Sequence, residues 1–444
     1  MRFMTLLLVA VFALHPARVT AAGPDSSATA DADLAKTARW FAEFDSLCTL
    51  DHGALWGQSF CGPIMIVDPA SRRILANHAD ATGLLAARGG VFVGQLPESL
   101  PVANTAVEWQ GTRWTMIMSW SMSENLRPRL RLMGHESFHR LQPGLGLESP
   151  GELNDHLDTA DGRYWMQLEW NALQRALLAP GDARRTAITD ALAFRAARRA
   201  EFAGAAEREV ALEIHEGLAE YSGMRLTGYS DSMVVRVVTA NRANETGFVR
   251  SFAYVSGPLY GYLLDASAPG WRRHAKPKTD LGDLLAGATF GALPESSWRA
   301  RVAAVDVGQR ALVYDGANLR TSEDAREHKR QAQLALWRQT LVDGPVLIVD
   351  LTKVKSGSFD PGKVFPMAEK QVVYTTRTLE AEWGALTIDD GAILEDRNTG
   401  TGRVSLAGAS TDHSNGQGWT LKIADGWEVT PAQRPGDFQI AKRH

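Results

Sequence analysis

The sequence predicts an α+β fold, in which a helical region lies between two β-rich regions. Between about 55 and 120, short runs of apolar and β-branched residues are separated by Gly, Pro and Asn, as is typical of strands. From there to about 345, apolar residues recur at the spacing of helices that bury one face. Strand-like runs divided by Gly, Asp and Asn then continue to the C-terminus. We therefore expect a β-rich part over 37–120, a helical part over 121–345, and a separate sandwich-like β-domain over 346–444.

The first 22 residues have the features of a secretory signal peptide. Arg2 precedes an apolar run from Met4 to Leu14, and small residues follow up to Ala22. The next stretch, 23–36, is small and polar, and we expect a disordered linker there. No later segment approaches the roughly 20 consecutive apolar residues of a membrane helix. We therefore expect an exported protein, secreted or periplasmic, that is not bound to a membrane after signal cleavage.

Composition narrows the possible partners. The chain of 444 residues is 45% hydrophobic, which is enough for a large core, and its net charge is −4. Because no stripe of basic residues offsets this negative net charge, we expect no nucleic-acid partner. The sequence does not indicate the oligomeric state. The two cysteines, Cys48 and Cys61, are close in the chain and are expected to form one disulfide in an oxidising compartment.

Local signals define several elements. The strings "TAVEWQG" and "RWTMIMSW" predict a hairpin that turns at Gln110-Gly111. Apolar residues recur at helical spacing over 130–141, and Pro143-Gly144 is expected to close that helix. Further helices are predicted over 163–179, 183–200 and 205–226, near 323–341, and from Ser256 onward with Pro258 in the first turn.

The string "HESFH" at 135–139 lies in the first of these helices and predicts a metal site. His135 and His139 are four residues apart, so a rotation of about 400° brings both rings to one face, where they can meet at a single ion. Glu136 is turned by about 100° from His135 and can face the same cleft without becoming a ligand. Two neutral imidazoles with an intervening carboxylate are typical of catalytic zinc sites. The alternative, two ordinary histidines of a helix, requires that the rest of the site be absent.

A second string, "EIHEGLAEY" at 213–221, supplies the remaining candidate residues of the metal site. Together the two strings resemble the gluzincins, the His-Glu-x-x-His metallopeptidases with a third ligand from a later helix, such as the aminopeptidase-N-like and thermolysin-like enzymes. The resemblance covers a minority of the chain and implies a zincin-like catalytic domain over 37–345, with an N-terminal sheet followed by helices that bear the metal site. It implies Glu216 as the third ligand of one Zn²⁺ ion and Glu220 as the carboxylate that orients a ligating histidine. His215 stands where the family often has Asn, and the interval between the strings is longer than the family's common spacing.

Helical periodicity by itself does not choose the third ligand. Four glutamates share one face of an ideal helix, at positions 209, 213, 216 and 220. Glu213 is therefore the alternative metal ligand, and a solvated acidic face is the remaining interpretation.

The string "FAYVSGPLYGYLL" contains a candidate hydrogen-bond donor for the reaction. Tyr254 precedes Gly257 by three residues, which resembles the Tyr-x-x-Gly string that follows the third ligand in aminopeptidase-like gluzincins. That resemblance implies that Tyr254 stabilises the oxyanion of a tetrahedral intermediate. Tyr260 and Tyr262 are alternatives, and each of the three is equally compatible with a core tyrosine.

These residues predict a secreted zinc metallopeptidase that cleaves peptide or protein substrates with a zinc-activated water and Glu136 as general base. Two alternatives stay open. One is a catalytically weak zincin-like scaffold used for binding in the cell envelope, against which the presence of Glu136 argues, because metal binding does not need it. The other is a zinc hydrolase of non-peptide amides. The sequence indicates neither the substrate nor a preference for exo- or endopeptidase cleavage.

Overall fold

The structure, a computed structural model, describes residues 26–443 apart from 150, 152, 245, 246, 292, 361 and 362. It confirms the α+β fold, with an N-terminal sheet, a helical region and a C-terminal sheet domain. The predicted signal peptide, 1–22, lies outside the described residues. Within the described part of the chain, no helix combines the length and the apolar character needed to cross a lipid bilayer.

The N-terminal sheet has six strands. They are β1 (Ile64–Val67), β2 (Arg73–Ala76), β3 (Ala86–Arg88), β4 (Val91–Gln95), β5 (Thr105–Trp109) and β6 (Thr112–Met118). Their order is β3-β4-β2-β1-β6-β5, with β1 and β6 parallel and the other neighbours antiparallel. Strands β5 and β6 form the predicted hairpin, since Gln110 and Gly111 make a two-residue turn with φ of 50° and 70°. Strand β6 leads into the helix that carries "HESFH".

The helical region is built from eleven described helices after the N-terminal one. They are α2 (Leu126–Leu145), α3 (Ala160–Leu178), α4 (Gly181–Glu201), α5 (Ala205–Leu212), α6 (Leu218–Leu226), α7 (Asp231–Asn244), α8 (Ala253–Ser267), α9 (Leu281–Phe290), α10 (Glu295–Ala303), α11 (Val307–Leu312) and α12 (Gly316–Arg338). Short 3₁₀ turns lie at Ser119–Ser121, Asp155–Asp158, Trp271–His274 and Leu351–Lys353. Two π-helical turns, Glu213–Gly217 between α5 and α6 and Gln339–Asp343 after α12, continue their helices.

Two predicted helix boundaries are wrong. Helix α2 continues through Pro143 and ends at Leu145, and the next residue, Gly146, has a φ of 65°, the left-handed conformation that glycine adopts readily. Helix α8 begins at Ala253, so Pro258 lies inside it rather than in its first turn.

A helix replaces the described part, 26–36, of the disordered linker that the sequence predicted over 23–36, and 23–25 lie outside the described residues. Helix α1 spans Ser26–Asp51, which also removes 37–51 from the predicted β-rich part. The reason is a buried seam at alternating spacings of three and four residues, namely Leu34, Thr37, Phe41, Phe44 and Cys48. This face packs on the main core, and a disulfide joins Cys48 to Cys61 across a separation of 13 residues.

Close contacts between glycines bring the site-bearing helices together. A Cβ atom on Gly223 of α6 would lie 2.4 Å from the carbonyl oxygen of Arg131 in α2, and one on Gly257 of α8 would lie 2.3 Å from the Cα atom of Gly217. Larger side chains at these positions would push the helices apart. The backbone contacts therefore fix the distance between α2 and α6, and that between α8 and the π-helical turn that contains Gly217.

The C-terminal domain contains ten described strands. They are β7 (Val346–Asp350), β8 (Val354–Phe359), β9 (Val364–Ala368), β10 (Gln371–Ala381), β11 (Gly384–Asp396), β12 (Thr401–Ser405), β13 (Asn415–Gly416), β14 (Trp419–Ile423), β15 (Trp427–Pro431) and β16 (Phe438–Lys442). The first begins at Val346, the residue at which the sequence predicted the β-domain to start.

All ten strands belong to one hydrogen-bonded sheet. The sequence predicted a sandwich-like domain instead, which has two packed sheets. The long hairpin of β10 and β11 explains this, because its two halves have different neighbours. Strand β10 pairs first with β9 and then with β8, while β11 pairs first with β14 and then with β12. The register shifts between Tyr374 and Thr376, where such an irregularity bends a strand. The sheet covers a separate apolar core that includes Leu379, Trp383 and Leu386.

Candidate metal centre

The two histidines of α2 face each other in the protein interior. Their Nε2 atoms are 3.2 Å apart, and neither side chain is more than 5% exposed. His135 Nδ1 lies 3.1 Å from Glu220 Oε2, and His139 Nδ1 lies 2.7 Å from Gln142 Oε1. Because carboxylate and amide oxygens only accept hydrogen bonds, both Nδ1 atoms donate. Each Nε2 is then the ring nitrogen available to a shared cation.

Gln142 is held in the orientation that this requires. Its Nε2 donates to the carbonyl oxygens of Ile214 at 3.2 Å and His215 at 3.0 Å, so its Oε1 faces His139. Both carbonyls belong to the π-helical turn, whose widened ring leaves carbonyl groups to be satisfied by other donors. A single side chain of α2 therefore orients a histidine and binds the turn that carries the second string.

Glu216 of the π-helical turn completes a triangle with the histidines. Its Oε2 lies 3.6 Å from His135 Nε2 and 3.6 Å from His139 Nε2. Although burial alone would raise the pKa of Glu216, the two neighbouring histidines hold it well below the usual value. Glu216 and Glu220 in turn act on His135. Burial would lower the pKa of His135, but these two carboxylates raise it to about 10. The space between the three side chains therefore strongly favours positive charge.

The donor set fits a divalent metal ion. His135, Glu136 and His139 offer ligand atoms within 4.8 Å of one another and could hold a metal ion. Two ligand atoms about 2.0–2.1 Å from a tetrahedral zinc ion lie about 3.4 Å apart, and the edges of the triangle formed with Glu216 are 3.2, 3.6 and 3.6 Å. Two imidazoles and a carboxylate are a donor set that a divalent metal ion binds.

Glu136 lies beside this triangle with an unused acceptor. The side chain is 2% exposed, and its Oε2 has no hydrogen-bond partner among the described residues. Burial raises the pKa of Glu136 to about 7, against the opposing effect of the two histidines. A buried carboxyl group with a free oxygen and a pKa near neutrality has the properties of a general base.

Tyr254 lies at the site, and the two alternative tyrosines do not. Its hydroxyl donates to Glu216 Oε2 at 2.6 Å, and its ring stacks on His135 with centroids 5.5 Å apart. The Tyr260 hydroxyl instead donates to Glu169 at 2.7 Å, and that of Tyr262 to the carbonyl oxygen of Tyr229 at 2.9 Å.

The alternative ligand, Glu213, faces away from the histidines. Its two oxygens accept from Arg195 at 2.9 and 2.6 Å, and Glu209 is bound in the same way by Arg198 at 2.6 and 2.9 Å. The π-helical turn begins at Glu213 and adds about one residue to a turn, which rotates the later residues about the helix axis. The four glutamates therefore do not share one face: the first two meet arginines of α4, and the last two meet α2.

The ion pairs behind the turn should be essential for stability. Arg198 is fully buried and also donates to Glu169 at 2.6 Å, so Arg198→Met leaves two buried carboxylates short of a partner. We expect the free energy of unfolding to fall by about 3–5 kcal/mol in urea titrations. Arg185→Met on the same helix is the control, because that side chain is 54% exposed and pairs only with Asp182 among the described residues. Its effect should stay within about 0.5 kcal/mol, and equal losses in both variants would contradict this interpretation.

Sequence reasoning missed several residues of the site. Arg250 Nη2 lies 3.3 Å from Glu216 Oε1, and Arg131 Nη1 lies 3.2 Å from Glu220 Oε1. The ring of His215 lies 4.9 Å from that of His139, and burial lowers the pKa of His215 to about 3. Gln142 could have been found by its spacing of three from His139 on a helix. Nothing in the local sequence marks Arg250.

Comparison with protein-family models, with curated proteins and with solved structures found no match to this chain. The chemistry of the site therefore rests on its geometry.

Proposed function

We propose that the protein is an exported zinc metallopeptidase with a zincin-like catalytic region. The observation that carries the proposal is the triangle formed by two histidine Nε2 atoms and one Glu216 oxygen, with edges of 3.2 to 3.6 Å, next to Glu136, whose Oε2 has no hydrogen-bond partner among the described residues. Structural zinc sites usually have four protein ligands, whereas three ligands and an adjacent carboxyl group are typical of hydrolytic zinc sites.

His135, His139 and Glu216 would hold the ion. A bound zinc ion supplies a Lewis acid that lowers the pKa of water and polarises a carbonyl group. Glu220 and Gln142 keep the two imidazoles in the tautomer that leaves Nε2 available. Arg131 and Arg250 offset the negative charge of Glu220 and Glu216, so that the carboxylates can stay ionised in the interior.

Proton transfer would be the task of Glu136. Its free oxygen takes a proton from the attacking water and returns it to the leaving amine, for which a pKa near the working pH is favourable. Tyr254 donates to Glu216 and so fixes the direction of that carboxylate. To stabilise charge that develops on a substrate carbonyl, its single hydroxyl proton would have to turn from Glu216 to the substrate.

The burial of the site favours a second candidate function. His135, Glu136 and His139 are 3%, 2% and 5% exposed, so a peptide can reach them only if neighbouring segments move. A zincin-like scaffold that binds metal and a partner without turnover would not need that motion. Hydrolysis of a smaller, non-peptide amide would need less motion of these neighbouring segments.

Metal analysis and hydrolysis by the purified full chain test the proposal. We expect about one zinc ion per chain, and cleavage of a mixed peptide library that a chelator abolishes and added zinc restores. Protein without zinc, or cleavage that is insensitive to the chelator, would contradict the proposal. Zinc at one ion per chain with no cleavage of peptides or amides would favour the scaffold.

A further inference from the structure

A cleft of about 590 Å³ lies between helix α12 and the C-terminal sheet. Its volume is in the range of sites for small molecules, which often lie where two domains meet. The metal-site residues do not line it, and neither the catalytic residues nor the zinc ligands account for its charged groups.

The cleft has more positive charge than its own carboxylates offset. Two of its arginines are committed: Arg163 binds Glu323 at 2.6 Å, and Arg330 binds Glu327 at 2.7 Å, while both contact Asp158. Arg326, Lys329 and Lys363 also line the cleft, and none of them forms an ion pair with another described residue. Arg163 and Arg330 meet three carboxylates, those of Asp158, Glu323 and Glu327, and Asp390 is the other carboxylate of the described lining, so five cations face four carboxylates.

Arg326 is the cation that most needs a partner. Its Nη2 is buried and has no hydrogen-bond acceptor among the described residues, and its guanidinium lies 5.6 Å from the centre of the Phe248 ring. Burial and the charge of Arg163 lower the pKa of Arg326, against the opposing effect of Glu323 and Asp158. A buried guanidinium nitrogen without an acceptor is unfavourable, and the remaining, partly exposed part of this guanidinium can meet an anion in the cleft.

The cleft also offers an apolar surface beside these cations. Leu336 is 50% exposed, and Phe365 packs against Trp337 with ring centroids 5.2 Å apart. Trp419 of β14 also lines the cleft, and its ring N–H donates a hydrogen bond to the carbonyl oxygen of Ser405. These groups can contact a ring or an alkyl chain but give it no hydrogen bond.

We propose that this cleft binds a small anion that carries an aromatic or aliphatic group, such as an organic phosphate or carboxylate. The anionic head meets Arg326, Lys329 and Lys363, and the apolar body lies against Leu336 and Phe365. The site is independent of the metal centre and of the proposed peptidase activity.

Isothermal titration calorimetry with phenyl phosphate tests the proposal on the full chain. We expect a dissociation constant below about 1 mM, with inorganic phosphate about tenfold weaker and phenol without measurable binding. Arg326→Gln and Lys329→Gln should each weaken phenyl phosphate about tenfold. Arg273→Gln, an exposed arginine on the Trp271–His274 turn, should leave the affinity unchanged.

Several outcomes would overturn the proposal. They are the absence of phenyl phosphate binding, equal affinity for inorganic phosphate, and unchanged affinity in the cleft variants. Lys329 is exposed, so its variant keeps the test decisive if Arg326→Gln fails to fold. Binding should be the same after the metal is removed with a chelator, which separates this result from that of the peptidase test.

Discussion

Glu136→Gln should lower kcat/KM for peptide hydrolysis by about 10²- to 10⁴-fold and leave the zinc content at one ion per chain. The amide has nearly the shape of the carboxyl group but cannot take a proton from water. The Oε2 atom of Glu136 has no partner among the described residues, so the substitution breaks no described hydrogen bond of that oxygen. The measurement is the initial rate on one cleaved peptide, with zinc determined on the same sample.

The control for this variant is Glu207→Gln. Glu207 is exposed on α5, in the first turn of the helix that leads to the π-helical turn, and its substitution should change neither rate nor zinc content. Cleavage that persists in Glu136→Gln at the wild-type rate would exclude Glu136 as the base. A loss of zinc in that variant would instead show that Glu136 contributes to metal binding.

Glu216→Ala should weaken zinc binding by more than about 100-fold, since even residues that only orient zinc ligands contribute 10- to 100-fold. The reason is the position of its Oε2, which lies 3.6 Å from both histidine nitrogens and accepts a hydrogen bond from Tyr254. Competition with a chromophoric chelator measures the affinity, and circular dichroism verifies that the variant is folded.

The matched variant is Glu213→Ala, which removes an equally buried carboxylate three residues earlier. We expect it to lower the stability of the protein, because Arg195 loses two hydrogen bonds, but to leave the zinc affinity of the folded protein within about threefold. The reverse pattern, with zinc lost in Glu213→Ala and retained in Glu216→Ala, would contradict the proposed ligand set.

Elements with a strong local signal were predictable from the sequence. The β5–β6 hairpin follows from a Gln-Gly turn between two apolar runs, and the β-domain that begins at Val346 follows from a change in composition. Helix α1 was missed because its N-terminal part is rich in Ala, Ser and Asp, and that composition suggested disorder. The buried residues 34, 37, 41, 44 and 48 show that a regular apolar spacing, which is visible in the sequence, outweighs composition.

By itself, the sequence determined which residues of α2 share a face. The four-residue spacing of His135 and His139 is a property of any α-helix, so their meeting needed no tertiary information. The sequence also indicated the glutamates at 209, 213, 216 and 220 as candidates for the same metal centre. Periodicity could not choose among them, because it assumes an unbroken helix, and Glu216 was indicated only by the resemblance to the gluzincins.

Only the tertiary structure decided which glutamates face the histidines. The π-helical turn at Glu213–Gly217 rotates Glu216 and Glu220 toward α2 and leaves Glu213 with Arg195. That turn depends on contacts far away in the chain, the donation from Gln142 and the close approach of Gly257 to Gly217. An inserted residue in a helix is stabilised by the partners of its displaced carbonyls, and these partners come together only in the folded chain.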